Sequence, residues 1–189
     1  MRQTKSLKSR RHLVWMDLEM TGLDPGRERI IEMATVITDR DLQVVREGPD
    51  LVIHQSSRLL DRMDRWNQRQ HKRSGLAEAV KRSKVSVEQA EALTLRFLKR
   101  YCYKGKSILC GNSVHHDRRF LIRYMPKLHS FLHYRLIDVS TVKTLAYYWY
   151  PKHKRFEKNA SAHRAHQDIL ESIEELRFYR STVFKKRKH

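Results

Sequence analysis

An apolar run that ends in two carboxylates constrains the fold of this chain more than any other stretch. Residues 13–25 read Leu-Val-Trp-Met-Asp-Leu-Glu-Met-Thr-Gly-Leu-Asp-Pro. Side chains alternate between the two faces of a β-strand, so Asp17 and Glu19 would point the same way. Neighbouring carboxylates repel each other and resist burial unless a positive group lies between them, and hard divalent cations prefer such oxygen ligands. The stretch therefore predicts either a metal site on the first strand or a strand end that has reached solvent.

The remaining hydrophobic pattern predicts an α/β fold, a mixed sheet with helices on its faces. After the first strand, patterns at residues 29–38, 42–47 and 51–54 predict an antiparallel meander, and the chain after His54 becomes helical. A capping box at Ser86 begins a longer helix. Short strands at residues 107–110 and 135–139 then alternate with helices, the first of which carries Asp117 and stops at Pro126. A basic loop at residues 151–162 precedes a last helix at about residues 164–182.

Length and composition favour one folded domain. The chain has 189 residues, of which 40% are hydrophobic, which is enough for a single full core and short for two. We expect a disordered basic arm at residues 1–12, the domain at residues 13–184 and a basic tail at residues 185–189. No apolar run approaches the length of a membrane span. Cys102 and Cys110 lack the spacing of a metal site or a disulfide framework, which indicates core residues of an intracellular protein.

The charge balance points to a polyanionic partner. Lys and Arg total 40 against 21 Asp and Glu, a net charge of +19. Such a surface attracts nucleic acid and accelerates its capture, but the charge alone indicates no particular chemistry.

Three further polar residues stand at the ends of predicted elements: Asp117, His163 and Asp168. Taken singly, an acid in the first turn of a helix favours the helix dipole, and a histidine at the end of a loop is usually solvated. Together with the pair on the first strand, they provide four carboxylates and a histidine. Four carboxylates can hold two divalent cations that promote an in-line displacement at phosphorus. A histidine, with a reference pKa of about 6.5, suits proton abstraction near neutral pH.

These motifs, in this order, resemble the oligoribonuclease family, the small 3′-to-5′ exoribonucleases of the Asp-Glu-Asp-Asp-His exonuclease superfamily. The resemblance runs from about residue 13 to residue 186. It is carried by the segments 17–23, 111–113 with 117–120, 133–135 with 138–141, and His163 with Asp168. The later motifs, such as Trp149-Tyr150-Pro151, look closer to the eukaryotic branch of the family.

The resemblance implies a ribonuclease-H-like fold, a homodimer and a substrate of very short single-stranded RNA, above all dinucleotides. It implies two divalent cations, Mg²⁺ or Mn²⁺, held by Asp17, Glu19, Asp117 and Asp168, with His163 as general base. The remaining roles concern the substrate: Leu23 would wedge between two bases, Trp66 would line the base pocket, Ser113, Arg135 and Ser140 would hold the 5′-phosphate end, and Tyr134 and His71 would reach into the site of the partner subunit.

Several alternatives stay open at this level. Trp66 could instead anchor the core, and Arg135 could be an ordinary surface arginine. Alternation along an extended segment predicts that Tyr134 and Arg135 point to opposite sides. The basic surface would also suit a related exonuclease that acts on longer RNA or single-stranded DNA, and a third reading is a nucleic-acid-binding relative without turnover. The expected location is intracellular, in the cytoplasm or a mitochondrion, without membrane association.

Overall fold

The computed structural model describes residues 7–152, 154–157 and 164–184. Its strands are β1 (Leu13–Met20), β2 (Ile30–Thr38), β3 (Val44–Val52), β4 (Leu109–Gly111) and β5 (Leu136–Asp138). Its helices are α1 (Ser57–Leu60), α2 (Arg65–Arg73), α3 (Leu76–Arg82), α4 (Val87–Tyr101), α5 (His115–Tyr124), α6 (Pro126–Phe131), α7 (Val139–Trp149) and α8 (Ala165–Thr182).

The strands form one mixed sheet in the order β3-β2-β1-β4-β5. The first three strands are antiparallel neighbours, and β4 and β5 join the other side of β1 in parallel. The carboxyl ends of β1, β4 and β5 therefore meet at one edge of the sheet. At this edge lie Glu19, the turn after Gly111, and Asp138.

Two apolar layers cover the two faces of the sheet. Val14, Met16 and Leu18 of β1 face the layer that α4, α5 and α6 complete. Trp15 faces the opposite layer, which contains Ile169 and Ile173 of α8. Because side chains alternate along β1, Asp17 and Glu19 lie on the same face as Trp15, beneath α8.

The structure confirms the expected mixed sheet and most of its elements, with differences at the connections. The helical region predicted after His54 is divided at Asp64, because Asp64 caps a new helix and its side chain accepts a hydrogen bond from the Asn67 backbone. Pro126 begins α6 rather than only ending α5, which suits a residue without a backbone donor at the first helical position. The two predicted strands at residues 42–54 are the single strand β3.

Two residues of the predicted basic arm, Ser9 and His12, contact the domain. The Ser9 backbone donates to the Tyr101 carbonyl at 2.9 Å, and the His12 ring lies 2.9 Å from the same oxygen. The outer part of the predicted arm, residues 1–6, and the predicted tail at residues 185–189 lie outside the described residues. Cys102 and Cys110 are free and buried, as the sequence predicted. Among the described residues, no helix has the length and apolar character needed to cross a membrane.

Candidate active site

Strand β1 and helix α8 bring three carboxylates together. Asp17 and Glu19 share the face of β1 beneath α8, and Asp168 lies in the first turn of that helix. Oxygen atoms of the three side chains lie within 4.8 Å of one another. The structure thus joins residues that are separated by about 150 positions in the sequence, which the local pattern of β1 alone could not predict.

Burial and mutual repulsion dominate the electrostatics of this cluster. The pKa of Glu19 is raised to about 8, first by burial and then by the charges of Asp168 and Glu32. The pKa of Asp17 is also raised well above its ordinary value, by burial and by Asp117 and Glu19. The cluster is therefore short of positive charge, which a bound cation would supply.

Asp117 flanks the cluster from the start of α5. It is 5% exposed, and its Oδ1 accepts a hydrogen bond from the Leu18 backbone, between the two acids of β1, at 2.9 Å. Burial raises its pKa to about 7, against the lowering effect of the bond from Leu18. Asp117 lies outside the set of oxygens within 4.8 Å, yet its charge is the largest ionic contribution to the raised pKa of Asp17.

Glu32 is a neighbour of the site that the sequence interpretation missed. It lies on β2 directly opposite Glu19 and is fully buried. Its Oε1 accepts from Arg164 Nε at 2.7 Å, and its Oε2 accepts from the Ala165 backbone at 3.0 Å. Glu32 therefore fastens the beginning of α8, three residues before Asp168, to the sheet. A signal was present, because Glu32 is the one charged residue in the apolar strand β2.

The donor chemistry of the cluster fits a divalent cation. All its candidate ligands are carboxylate oxygens, the set that Mg²⁺ and Mn²⁺ prefer over soft ligands. The raised pKa values of Glu19 and Asp117 fit the same conclusion, because a cation would favour the ionised forms. The geometry thus suggests divalent metal use.

The loop after β1 carries Leu23 and is held at its base by hydrogen bonds. Thr21 Oγ1 donates to Glu28 at 2.5 Å and accepts from the Arg29 backbone at 3.0 Å, which closes the base of the loop. The Tyr124 hydroxyl lies 2.8 Å or less from two loop carbonyls. Leu23 itself is 58% exposed. Hydrogen bonds therefore hold the base of the loop, and the loop carries an apolar side chain into solvent, four residues after Glu19 in the sequence.

Helix α2 carries Trp66 and His71 in opposite environments. Trp66 is 64% exposed, so the alternative that it anchors the core is wrong. His71 is 1% exposed, and its Nε2 lies 3.1 Å from the Met20 carbonyl at the end of β1. The expectation that His71 reaches into a partner's site does not agree with this placement, because the ring is enclosed by its own subunit.

Ser113 and Ser140 meet at the ends of β4 and β5. The Ser113 backbone adopts a positive φ of 49°, and its N–H points to Asp138 Oδ1 and Ser140 Oγ, both at 3.0 Å. The two serine hydroxyls lie 3.1 Å apart. The structure therefore brings together two of the three residues that were expected to hold a 5′ phosphate.

Arg135 and Tyr134 are placed differently from the expectation. The residues before β5 bend instead of extending, and the guanidinium of Arg135 lies over the Tyr134 ring, 5.3 Å from its centroid. The prediction that these side chains point to opposite sides is wrong for this reason. Both are exposed, with Tyr134 at 70%. Arg135 precedes β5 whereas Ser140 follows it, so the arginine would have to reach along the strand to join the serines.

His163, the expected general base, lies outside the described residues. Its neighbour Arg164 is described and is bound to Glu32, as given above.

Comparison with known proteins identifies the class of protein that this fold and acidic site define. The exonuclease family RNase_T matches residues 14–176, so the chain belongs to this family of nucleases. Within it, the chain is 55% identical over 170 residues to an oligoribonuclease of Coxiella burnetii, covering 90% of this chain and 93% of that protein. It is 51% identical over 179 residues to the oligoribonuclease of Pseudomonas aeruginosa, covering 95% and 99%. The chain is thus an enzyme of the oligoribonuclease family.

Solved structures show the same fold at low identity. A zinc-bound exonuclease I of Escherichia coli in complex with single-stranded DNA superposes with a TM-score of 0.68 at 16% identity, and exonuclease I from Methylocaldum szegediense with 0.64 at 17%. Each alignment covers 90% of this chain and 40% of the longer exonuclease I chain. These neighbours confirm the ribonuclease-H-like fold. The relatives named above are bacterial, and the expected closer resemblance to the eukaryotic branch stays a prediction.

Proposed function

We propose that this enzyme removes nucleotides from the 3′ end of very short RNA, with dinucleotides as preferred substrates and mononucleotides as products. The observation that carries the proposal is the cluster of Asp17, Glu19 and Asp168 within 4.8 Å, in a chain at least half identical to oligoribonucleases over nearly its whole length. The buried Asp117 beside Leu18 supports it further.

Each acidic residue has a defined part in this proposal. Asp17, Glu19, Asp117 and Asp168 would hold two divalent cations, Mg²⁺ or Mn²⁺, which would lower the pKa of a bound water and neutralise charge at the phosphate. Hydrolysis breaks the bond between phosphorus and the 3′ oxygen of the preceding nucleotide, so the last nucleotide leaves with its 5′ phosphate. His163 would take the proton from the attacking water. Glu32 and Arg164 would hold Asp168 in place through the start of α8.

The residues that we assign to the substrate suit a short oligonucleotide. Leu23 on its tied loop and Trp66 on α2 offer apolar faces on which bases can stack without regard to sequence. The serine pair at the ends of β4 and β5 would meet the 5′ phosphate, with Arg135 as a further donor. A pocket closed at the 5′ end of the substrate would sterically exclude longer RNAs and so favour dinucleotides.

We also propose a homodimer in which Tyr134 lies at the site of the partner. Tyr134 is 70% exposed beside Arg135, so it is available for such a contact. His71 is no longer part of this proposal, because it is buried in its own subunit.

The net charge of +19 favours a second candidate function, an exonuclease acting on longer RNA or single-stranded DNA. Each additional phosphate would gain electrostatic attraction to such a surface. A binding protein without turnover is disfavoured, because residues of the catalytic type stand at all five positions expected for the family.

A time course on 5′-labelled oligonucleotides tests the proposal. Dinucleotides and RNAs of up to about 20 nucleotides are incubated with Mg²⁺, Mn²⁺ or chelator, alongside single-stranded DNA of equal length. We expect dinucleotides to react fastest, chelator to stop the reaction, and Asp168→Asn to lose orders of magnitude in turnover. His163→Ala should lose about 10²–10⁴-fold, the usual contribution of general-base catalysis.

Glu91→Gln is the matched control, since Glu91 is a buried carboxylate that accepts hydrogen bonds from the backbone of Lys127 and Leu128, in another part of the fold. Full activity in excess chelator would refute the metal-dependent reaction. A wild-type rate for His163→Ala between about pH 6 and pH 9 would remove the general-base role.

A further inference from the structure

Three segments without an acidic residue lie side by side at one end of the sheet. They are residues 7–12 before β1, residues 101–108 before β4 and residues 131–133 before β5. Backbone hydrogen bonds join the first two, from the Ser9 N–H to the Tyr101 carbonyl at 2.9 Å. The Gly105 N–H donates to the Phe131 carbonyl at 2.8 Å and joins the second to the third. The structure thus builds one continuous surface from segments that are far apart in the sequence.

This surface lies at the opposite end of β1 from the acidic cluster. Strands β1, β4 and β5 are parallel, so the three segments lie at the amino ends of these strands. The acidic cluster lies toward their carboxyl ends. A rise of about 3.3 Å per residue along β1 places Leu13 about 20 Å from Glu19. A ligand of this surface would therefore not contact the catalytic acids.

Lysine and arginine side chains dominate the surface, which we call the distal basic surface. Its members are Lys8, Arg10, Arg11, Arg100, Lys104 and Lys106. All except Lys8 are exposed, and within the described parts of the chain none of these exposed members forms an ion pair. The acids of the neighbouring turn between β2 and β3 bound the surface on one side, where Asp41 already pairs with Arg180. The distal basic surface therefore carries uncompensated charge that attracts a polyanion.

An aromatic ring lies among these cations. Tyr103 is 37% exposed, with Lys8 Nζ 4.6 Å and the guanidinium carbon of Arg10 5.6 Å from its ring centroid. Proteins that hold single-stranded nucleic acid without reading its sequence combine cations for the phosphates with aromatic rings for the bases. An anionic membrane would instead favour several exposed aliphatic side chains between the cations. In the described residues of the three segments, Leu7 is the one exposed aliphatic side chain.

We propose that the distal basic surface binds single-stranded RNA longer than the substrate, with the cations on its phosphates and Tyr103 stacked on a base. The nucleotides bound there lie about 20 Å from the catalytic acids and are not themselves cleaved. This site goes beyond the proposed function and does not depend on the preference for dinucleotides. It gives part of the net charge of +19 a binding role without making long RNA a substrate.

The test measures binding of a 5′-labelled RNA of about 20 uridines by fluorescence anisotropy, at salt concentrations from about 50 to about 200 mM. Excess chelator is present, and electrophoresis checks that the RNA stays intact. Two double variants each remove two charges from separate segments of the surface: Lys104→Ala/Lys106→Ala and Arg10→Ala/Arg11→Ala. Tyr103→Leu removes the ring and keeps an apolar side chain.

Arg82→Ala/Lys84→Ala is the matched control, because it removes two exposed cations before the start of α4. Helix α4 has 15 residues, so a rise of about 1.5 Å per residue separates its two ends by about 20 Å. The control therefore changes the net charge equally without touching the distal basic surface. Steady-state hydrolysis of a dinucleotide is measured for every variant.

We expect each double variant of the surface to bind the RNA about tenfold more weakly at the lowest salt. The slope of log affinity against log salt should become shallower by about 1.4, since each phosphate contact to a single strand contributes about 0.7. Tyr103→Leu should weaken binding about fivefold or more with an unchanged slope, because stacking involves no counterion release. For the control, RNA affinity should stay within about twofold of wild type, and kcat/KM for the dinucleotide should do so in all variants.

Three results would overturn the inference. Equal losses of RNA affinity in the control and in the surface variants would mean that RNA responds only to net charge. A parallel fall in kcat/KM for the dinucleotide would assign these residues to the active site. Loss of binding to phosphatidylserine vesicles with unchanged RNA affinity would assign the surface to a membrane. Should one double variant fail to fold by circular dichroism, the other decides by the same criteria, because it alters a separate segment.

Discussion

Leu23 and Trp66 are large apolar side chains that the structure leaves in solvent, at 58% and 64% exposure. Neither supports the core, so truncation should leave the free energy of unfolding within about 0.5 kcal/mol of wild type. Loss of a stacked base is typically worth about 1–3 kcal/mol. We therefore expect Leu23→Ala and Trp66→Ala to raise KM for dinucleotides about tenfold or more, measured by steady-state hydrolysis.

Tyr148→Ala is the control for this pair, because Tyr148 is 75% exposed on α7 and has no proposed part in base binding. An unchanged KM for Trp66→Ala would contradict the base-binding role of Trp66. A large fall in stability for either variant would show that the side chain supports the fold.

For single residues, the sequence predicts the placement of those whose neighbours in the structure are also close in the chain. Asp17 and Glu19 share a face because of strand alternation alone, and the structure agrees. Glu32, Asn112 and Glu175 escaped prediction because their partners are far away in the sequence. The apolar pattern of β2 singles out Glu32 but not its partner, and the pattern of α8 does not say which of its acids will be buried. Only the packed structure shows that Arg164 and Asn112 meet these carboxylates.

Helix α8 is the element that brings Asp168 to the sheet, and its start is held by Glu32. Arg164→Met would leave a fully buried carboxylate opposite Glu19 without its charged partner. We expect the free energy of unfolding to fall by about 1.5–3 kcal/mol, the range for hydrogen bonds to charged groups. Affinity for Mn²⁺ should fall as well, since the first turn of α8 carries Asp168. Chemical denaturation and Mn²⁺ titration measure the two effects.

A second ion pair on α8 gives the control. Arg180 contacts Asp41 at 2.6 Å, but both side chains are at least half exposed. Exposed pairs of this kind contribute about 0–1 kcal/mol, so Arg180→Met should change stability little and metal affinity not at all. Equal effects of the two substitutions would mean that Glu32 does not position α8.

The sequence predicts a helix well when the residues that cap it form all of their capping hydrogen bonds within the same segment. The capping box at Ser86 begins α4 with both of its hydrogen bonds present. The sequence predicts a helix end at Pro126, but this proline also begins α6, because proline suits both positions. The break between α1 and α2 depends on the Asp64 cap, and an aspartate inside a hydrophobic pattern is compatible with either a cap or an exposed helical position.

For the whole molecule, the acidic cluster should make stability depend jointly on pH and on divalent cations. The pKa values of Glu19, about 8, and Asp117, about 7, lie above their ordinary values. The folded state therefore binds more protons than the unfolded state between about pH 4.5 and pH 8, and without metal these groups lower stability as pH rises through that window. A cation binds the ionised forms, so the increase in Tm on adding Mn²⁺ should be larger near pH 8 than near pH 6.

Thermal unfolding with chelator or with Mn²⁺ measures this difference. At about 100 times the dissociation constant, binding adds about 2.7 kcal/mol, which corresponds to roughly 5–10 °C for a domain of this size. Asp168→Asn should lose most of the Mn²⁺-dependent increase, whereas Glu91→Gln should keep it. An increase in Tm that is the same at both pH values would argue against ionisation of the cluster as the source.

The last expectation concerns substrate length, where the proposed closed pocket and the net charge of +19 would act in opposite directions. A third nucleotide would have to displace the bonds at the 5′ end, each worth roughly 1.5–3 kcal/mol when charge-assisted. The general attraction of extra phosphates is screened beyond about 8 Å at physiological salt, and for single strands its salt dependence grows with the number of phosphates engaged. Dinucleotides should therefore be the preferred substrates near physiological salt. Longer RNAs should compete better only as the salt concentration is lowered. Competition between a dinucleotide and an RNA of about ten nucleotides, measured across a salt series, tests this. A longer RNA that is preferred at physiological salt would mean that the basic surface outweighs the pocket and that the enzyme is a broader exonuclease.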